Sequence, residues 1–375
     1  MFILVNVFVD TSYKIRLPAS LLFLALLFFA VLSLISGGSI LMLPSLVKLT
    51  VVFFLIANLI RTKEHCLFTI KVFIVITTCS AIIGIVQEII FLTTGATLVG
   101  FIPPQMRDQM YESTPWGIFL RIPAMTGWYE VLSNCIIISI LLGINLLLYP
   151  IIIKKNQRLL MYSALFIMSM ALLLTFSKSA LLSLILGVIL SIFIKWKKLA
   201  IHFLMALLAL VIFAHLAGLF DILAEYVTSD ISLGGEMGDR VNLIKSGIQG
   251  FFKHPLLGVG IGSGARYTQT VRGWPVHNIF ILIADEIGIF GLVIFLLIVL
   301  RLIVKLLYMI STARNDGEKG IITASLISLI ALIVNLQVHP SYKDYFIFMI
   351  FGIFEAVALM TSEQANRKMI LPNNS

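Results

Sequence analysis

An all-α polytopic membrane protein is the fold class that the sequence predicts, and three observations predict it. Of 375 residues, 60% are hydrophobic and only 12% are charged, and the mean hydropathy is +1.06, a balance that excludes a soluble domain. The apolar residues come in runs long enough to cross a hydrocarbon core of roughly 30 Å. Those runs lack the period-two alternation of barrel strands, and in lipid each backbone polar group must be satisfied within its own segment, so the runs are helices.

About ten spans follow in order, at residues 19–36, 40–60, 67–93, 128–150, 158–176, 179–194, 199–220, 278–300, 320–338 and 344–361. They make one integral membrane domain over residues 1–375. Met1 to Val9 is apolar but short, and its basic residues follow it, so it reads as a membrane-dipping piece or a shortened helix rather than a cleaved signal. Basic residues sort to alternate ends of the spans: Lys14 and Arg16, Arg61 and Lys63, Lys154, Lys155 and Arg158, Lys195, Lys197 and Lys198, Arg301, Lys305, Arg314 and Lys319, then Arg367 and Lys368. By the positive-inside rule those ends and both termini are cytoplasmic. Two large loops, 94–127 and 221–277, then project outward. This sorting accounts for most of the formal charge of +9, so the charge does not imply nucleic acid.

Cys66, Cys79 and Cys135 are scattered and offer neither a disulfide framework nor a metal-ligand spacing. There is no CxxC, HExxH, Walker loop, Gly-rich dinucleotide turn or paired aspartate motif, so the expectation is chemistry without metal or cofactor. No internal repeat is visible.

The outer loops hold the basic residues that the orientation rule leaves over: Arg107 and Arg121 in the first, Arg240, Lys245, Lys253, Arg266 and Arg272 in the second. A solvated loop charge is the ordinary reading of each. Arg121 stands a few residues before the fourth span, where Trp128 and Tyr129 mark an interface and Glu130 lies at the helix mouth. In the second loop Gly238-Asp239 offers a helix cap, and Val241, Ile244, Ile248, Phe251 and Phe252 recur at helical spacing until His254-Pro255 stops the run. Such an amphipathic helix lies on the membrane or against the bundle, with Arg240 at the edge of its buried stripe. Gly258, Gly260, Gly262 and Gly264 then let the chain turn back. His277 opens the eighth span, and on a straight helix Gly288 falls about 20° off the same face three turns below, which predicts a groove beneath the imidazole. Asp285 and Glu286 lie deep in that span, where carboxylates normally face protein or water. Glu286 points away from His277 and reads as structural.

These residues resemble one family, the bacterial O-antigen polymerases and O-antigen ligases. The match runs through Gly238-Asp239-Arg240, His254-Pro255-Leu256-Leu257-Gly258-Val259-Gly260, His277-Asn278 and Glu286-Ile287-Gly288-Ile289-Phe290-Gly291-Leu292, in the family's order. Weaker matches lie at Arg121 to Glu130 and at Thr175 to Leu181, where the family more often has Arg in place of Lys178. The resemblance implies a membrane glycosyltransferase of GT-C type with a helical outer loop over its active site. It implies catalytic roles for Arg121, Arg240 and His277, with Glu130, Lys178, Arg266 and Arg272 as candidate substrate-binding residues.

The implied reaction transfers a glycan from a polyprenyl-diphosphate donor to a glycan acceptor at the outer face of the bacterial cytoplasmic membrane. In it Arg121 and Arg240 grip the diphosphate through bidentate, charge-assisted bonds. His277 takes or positions the acceptor proton, with Glu130 as a second candidate base. The partners implied are a polyprenyl-diphosphate-linked oligosaccharide, membrane lipid and a chain-length regulator. Polymerase is preferred to ligase on the Arg121 to Glu130 stretch. A transporter or flippase for the same lipid-linked glycan is the main alternative, although Lys48 is the principal deep cation and a transporter favours charges within several spans and interrupted helices. A non-enzymatic scaffold is the third.

Overall fold

The computed structural model describes residues 20–98, 110–149, 155–196, 236–263, 276–313, 315–340 and 344–370. Ten α-helices lie among them: α1 (Ser20–Ser33), α2 (Leu43–Leu59), α3 (Lys63–Thr94), α4 (Tyr129–Leu148), α5 (Lys155–Leu174), α6 (Lys178–Lys195), α7 (Glu236–Lys253), α8 (Ile279–Thr312), α9 (Asp316–Asn335) and α10 (Tyr345–Ile370). Seven apolar stretches reach full membrane-crossing length, namely those of α2 to α6, α8 and α9, and two shorter ones, Leu21–Ser36 and Tyr345–Met360, accompany them. Nine of the expected spans therefore have a helix. The expected span at 199–220 lies outside the described residues.

Local chemistry sets the helix ends. The Thr62 side chain accepts from His65 N at the start of α3, and Gly95 closes it in the left-handed region. Asn278 caps α8, its side chain accepting from Phe280 N and Ile281 N, and Asn315 caps α9 by accepting from Glu318 N. At ~1.5 Å per residue, the 32 residues of α3 run to about 48 Å, so its far end stands clear of a ~30 Å core and supports what is built above it.

Two departures from an uninterrupted helical reading matter for function. Between α3 and α4, β1 (Tyr111–Thr114) and β2 (Gly117–Leu120) form an antiparallel hairpin with Tyr111 opposite Leu120 and Thr114 opposite Gly117. In α8 the helix is broken at Gly288, whose φ of 76° and ψ of −169° belong to no helix. The straight-helix relation between His277 and Gly288 is therefore corrected: no single helical face joins them.

Among the seven membrane-length helices, α4 and α9 are the most enclosed. They are joined by the Asn335 amide donating to Asn134 Oδ1 at 2.8 Å, and α4 is joined to α6 by Asn145 donating to the Ser191 hydroxyl at 2.9 Å. Such interhelical bonds contribute about 0.6 to 2 kcal/mol each in lipid. Close approach comes from small residues: a Cβ on Gly187 of α6 would stand 2.5 Å from the Leu141 side chain of α4. Deep in the bundle, Glu355 of α10 is buried and accepts both Arg301 Nη1 (2.8 Å) and Nη2 (3.1 Å) from α8, with Lys305 3.7 Å away. Arg301 and Lys305, which the orientation rule reads as flanking charge, are thus also bundle contacts.

Candidate active site at one end of the bundle

Following the chain through alternate helix ends, the α1–α2 turn, the hairpin, the α5–α6 turn, the start of α8 and the end of α9 share one end of the bundle. Arg61, Lys155 and Lys195 fall at the other. The first wall of the site is the hairpin. Thr114 Oγ1 accepts from Trp116 N across the Pro115-Trp116 turn, while Leu120 N donates to the buried Glu88 carboxylate near the hairpin end of α3 (3.0 Å). Arg121 N donates to Met110 O (2.8 Å), adding a rung beyond β2. That rung makes Arg121 and Glu112 diagonal neighbours on one face. Arg121 Nε donates to Glu112 Oε2 at 2.9 Å, Nη2 bonds the same oxygen, and Nη1 donates to the Tyr129 hydroxyl at 3.1 Å. Burial works against the guanidinium's charge, but the Glu112 carboxylate and Tyr129 outweigh it and hold its proton affinity above the ordinary value.

The second wall is a meeting of three chain ends. Ile279 N donates to Leu336 O (3.1 Å) and the Asn278 amide donates to Gln337 Oε1 (2.9 Å), which ties the start of α8 to the end of α9. The Asn134–Asn335 bond ties that end of α9 to α4, about one turn below Glu130. These three stitches bring His339 Nδ1 to 2.6 Å from Glu130 Oε1 and put His277 within electrostatic reach of the same carboxylate. The Tyr129 hydroxyl, 3.4 Å from Glu130 Oε1, links this cluster to Arg121. At the α5–α6 turn, Ser177 Oγ lies 3.4 Å from His339 Nε2. Phe176 in that turn holds a left-handed φ of 52° and packs its ring on Phe119 of the hairpin.

The third wall is α7 with the glycine loop behind it. The helix is already formed at Glu236, so the expected cap at Gly238-Asp239 is corrected: both residues lie inside it. Its inward face is also shifted. Gly238, Leu243, Gly247 and Gly250 are buried, whereas Ile248 and Phe252 are exposed. A Cβ on Gly247 would stand 2.6 Å from Val276, the residue before His277. Arg240 is half-buried on that same face, two turns or about 10 Å from Gly247 along the helix.

Beyond His254 the chain re-enters the bundle and docks into the break in α8. Ile289 N donates to Pro255 O (2.8 Å), Val259 N to Asp285 O (2.7 Å) and Gly260 N to Glu286 O (3.2 Å). On its other side, Ile261 donates to Ser33 Oγ (3.1 Å) and accepts from Ser39 N (2.8 Å) at the α1–α2 turn. Side chains are excluded by contact: a Cβ on Gly288 would meet Leu256 O at 2.2 Å, and one on Gly258 would meet Asp285 O at 2.5 Å. The backbone groups freed by the break are thus satisfied by the loop, as non-helical backbone at membrane depth requires.

Of the residues singled out in the sequence, Arg121, Glu130 and His277 come together, and Arg240 lies on the helix beside them. Lys178 is exposed at the first position of α6, next to Ser177. Arg107, Arg266 and Arg272 lie outside the described residues. Sequence reasoning missed His339 and Glu112. The only signal for the first was a His-Pro pair at the end of a span, and the second sat among loop residues until the hairpin aligned it with Arg121. Beside the cluster, between α2, α3, α4 and α10, is an apolar cavity of about 530 Å3, with Ile56, Phe73, Thr126, Leu132 and Met349 among its walls.

A family model described as O-Antigen ligase matches residues 163–296. The matched region runs from α5 through the α5–α6 turn, α7, the glycine loop and His277 to the broken part of α8. No curated protein matches the chain.

Proposed function

From the premise that this chain carries the O-antigen ligase family's region over residues 163–296, we propose that it is a polysaccharide polymerase of the bacterial cytoplasmic membrane. It moves a glycan from a polyprenyl-diphosphate donor to the hydroxyl of a glycan acceptor at the outer face. The observation that carries this reading is the convergence of Glu130, His277 and His339 beside the Arg121 guanidinium, at the bundle end opposite the basic residues that mark the cytoplasmic side.

The diphosphate is held by Arg121 and Arg240. Each offers a planar fork of donors, and charge-assisted bonds contribute roughly 1.5 to 3 kcal/mol apiece. The acceptor hydroxyl binds at Glu130 and His277, either of which can receive its proton. Its oxygen attacks the anomeric carbon, the bond from that carbon to the diphosphate breaks, and the departing charge is stabilised where it develops, by the guanidinium groups at a site beside lipid. The apolar cavity next to the cluster is the fitting place for the donor's isoprenoid tail, and both termini are cytoplasmic.

Purified protein in liposomes with a lipid-linked repeat unit tests this reading. Polymerase activity gives a ladder of longer lipid-linked glycans, and transport without elongation overturns it. Arg240→Lys, which keeps the charge and loses the fork, is expected to lower the elongation rate tenfold or more. Near-normal polymer from that variant removes Arg240 from the grip on the diphosphate. Ligase activity, in which lipid A core is the acceptor, is the second reading, favoured by the description of the matching family; adding that acceptor to the liposomes and finding it glycosylated selects it.

A further inference from the structure

We propose that His339 is the positioning residue that holds the Glu130 carboxylate in place to take the acceptor's proton, so that one carboxylate between two histidines, His277 and His339, is the base. This rests on the transferase reading above, to which it adds the proton's destination and the group that prepares it.

The two imidazoles have different surroundings. His339 is 5% exposed, and its ring nitrogens are occupied on both sides, Nδ1 by Glu130 Oε1 at 2.6 Å and Nε2 by Ser177 Oγ at 3.4 Å. It has no edge left for a sugar and acts only through Glu130. The Glu130 side chain is 17% exposed, so part of it remains accessible to an acceptor while Oε1 faces His339. A hydroxyl both donates and accepts. The tautomer that this role requires carries its proton on Nδ1, on the side of the carboxylate, and leaves Nε2 to accept from Ser177.

The groups facing Glu130 come from every neighbouring element. Tyr129 stands beside it on α4, with its hydroxyl 3.4 Å from Oε1. Behind Tyr129, from the hairpin, is Arg121 with its own partner Glu112. His277 approaches from the start of α8 and His339 from the end of α9. From the α5–α6 turn comes Ser177, with Lys178 exposed beside it. Asp344, ahead of α10, acts on Cys135 further down α4. Donors and cationic groups thus dominate around the carboxylate, which suits an anion waiting for a proton. In the reaction the hydroxyl proton passes to a Glu130 oxygen while the hydroxyl oxygen bonds to the anomeric carbon. The electron pair of the broken bond leaves on the diphosphate. Glu130 then returns the proton to water and resets.

The test is the initial elongation rate of the full-length protein in liposomes, measured against pH for wild type, Glu130→Gln, His339→Ala, His339→Asn and His339→Gln, with membrane abundance and melting temperature recorded for each. Glu130→Gln is expected to lose about a hundredfold or more at every pH, as removal of a general base does. His339→Ala is expected to lose about tenfold near neutrality and to move the acid limb of the profile up by about one pH unit, because a poorly solvated carboxylate without its donor protonates more readily. His339→Asn, which places an N–H where Nδ1 stood, is expected to restore most of the rate and the limb. His339→Gln, whose amide reaches the Nε2 position, is expected to restore neither. A His339→Ala profile that falls in height with its acid limb unmoved overturns the inference and leaves the transferase reading standing, as does a Glu130→Gln enzyme with near-normal rate. A wild-type protein that transfers no glycan overturns both.

Discussion

Arg121 shows how a single side chain is prepared for an anion and restrained at once. Its guanidinium is bonded to Glu112 and Tyr129, and its charge persists across any working pH because Glu112 and Tyr129 outweigh the burial that opposes it. The charge of Arg121 therefore contributes no pH dependence to turnover near neutrality. Under the proposed function Glu112 competes with the diphosphate for the same fork. With both partners about a fifth exposed, an ion pair of this kind is worth about 1 kcal/mol after solvent screening. Glu112→Gln is accordingly expected to lower the donor KM by a few-fold with kcat little changed. A raised KM would mean that Glu112 mainly orients Arg121. The sequence made Arg121, Glu130 and His277 visible because a charged residue at the mouth of an apolar run has few ordinary explanations. It left Glu112 invisible because the partner choice depends on hairpin register, which neither periodicity nor spacing in that loop revealed.

At the scale of elements, the spans were legible and the breaks in them were not. Hydropathy located nine helices because a run of apolar residues in lipid has essentially one conformation open to it. It could not reveal that α8 is interrupted, since Gly288 lies in an apolar context and its φ of 76° is set by the loop that docks there. Gly258, Gly260 and Gly262, read as turn-makers, do hold positive φ and also allow close approach to α8 and to the α1–α2 turn. Gly288→Ala should therefore be far more damaging than Gly95→Ala. Both residues have positive φ, but a Cβ on Gly95 meets nothing within 4 Å whereas one on Gly288 meets Leu256 O at 2.2 Å. The expected costs are about 1 kcal/mol at Gly95 and at least 2 to 3 kcal/mol at Gly288. Thermal unfolding in detergent and protease sensitivity of residues 255–263 should report them. Equal losses would show that the loop does not depend on the break. An interrupted helix carrying Asp285 and Glu286 is also a transporter feature. Here the carbonyls freed by the interruption are already taken by Val259 N and Gly260 N, so they are committed to holding the loop.

At the scale of the whole molecule, the cluster at one end is matched among the described residues by the ion triad of Arg301, Lys305 and Glu355, which begins about 15 Å along α10. Removing Glu355 takes away the carboxylate that both cations share. Because their side chains are 29% and 19% exposed they can partly snorkel toward water, so the cost should fall below the 3 to 5 kcal/mol typical of a fully buried pair. Glu355→Ala is expected to lower the melting temperature while leaving the elongation rate per folded molecule near wild type. A rate that falls as far as that of His339→Ala would mean that the two ends are mechanically coupled.

The dock between the glycine loop and the α1–α2 turn joins Ser33 to Ile261, partners 228 positions apart. During synthesis the first helical hairpin must therefore wait, already inserted, while α3 to α7 are made before its contact arrives. The candidate site is then completed late in biogenesis, and the α1–α2 hairpin serves as a template for its closure. Expressed as two separate fragments cut between these partners, the protein should regain this site only when both halves meet in one bilayer.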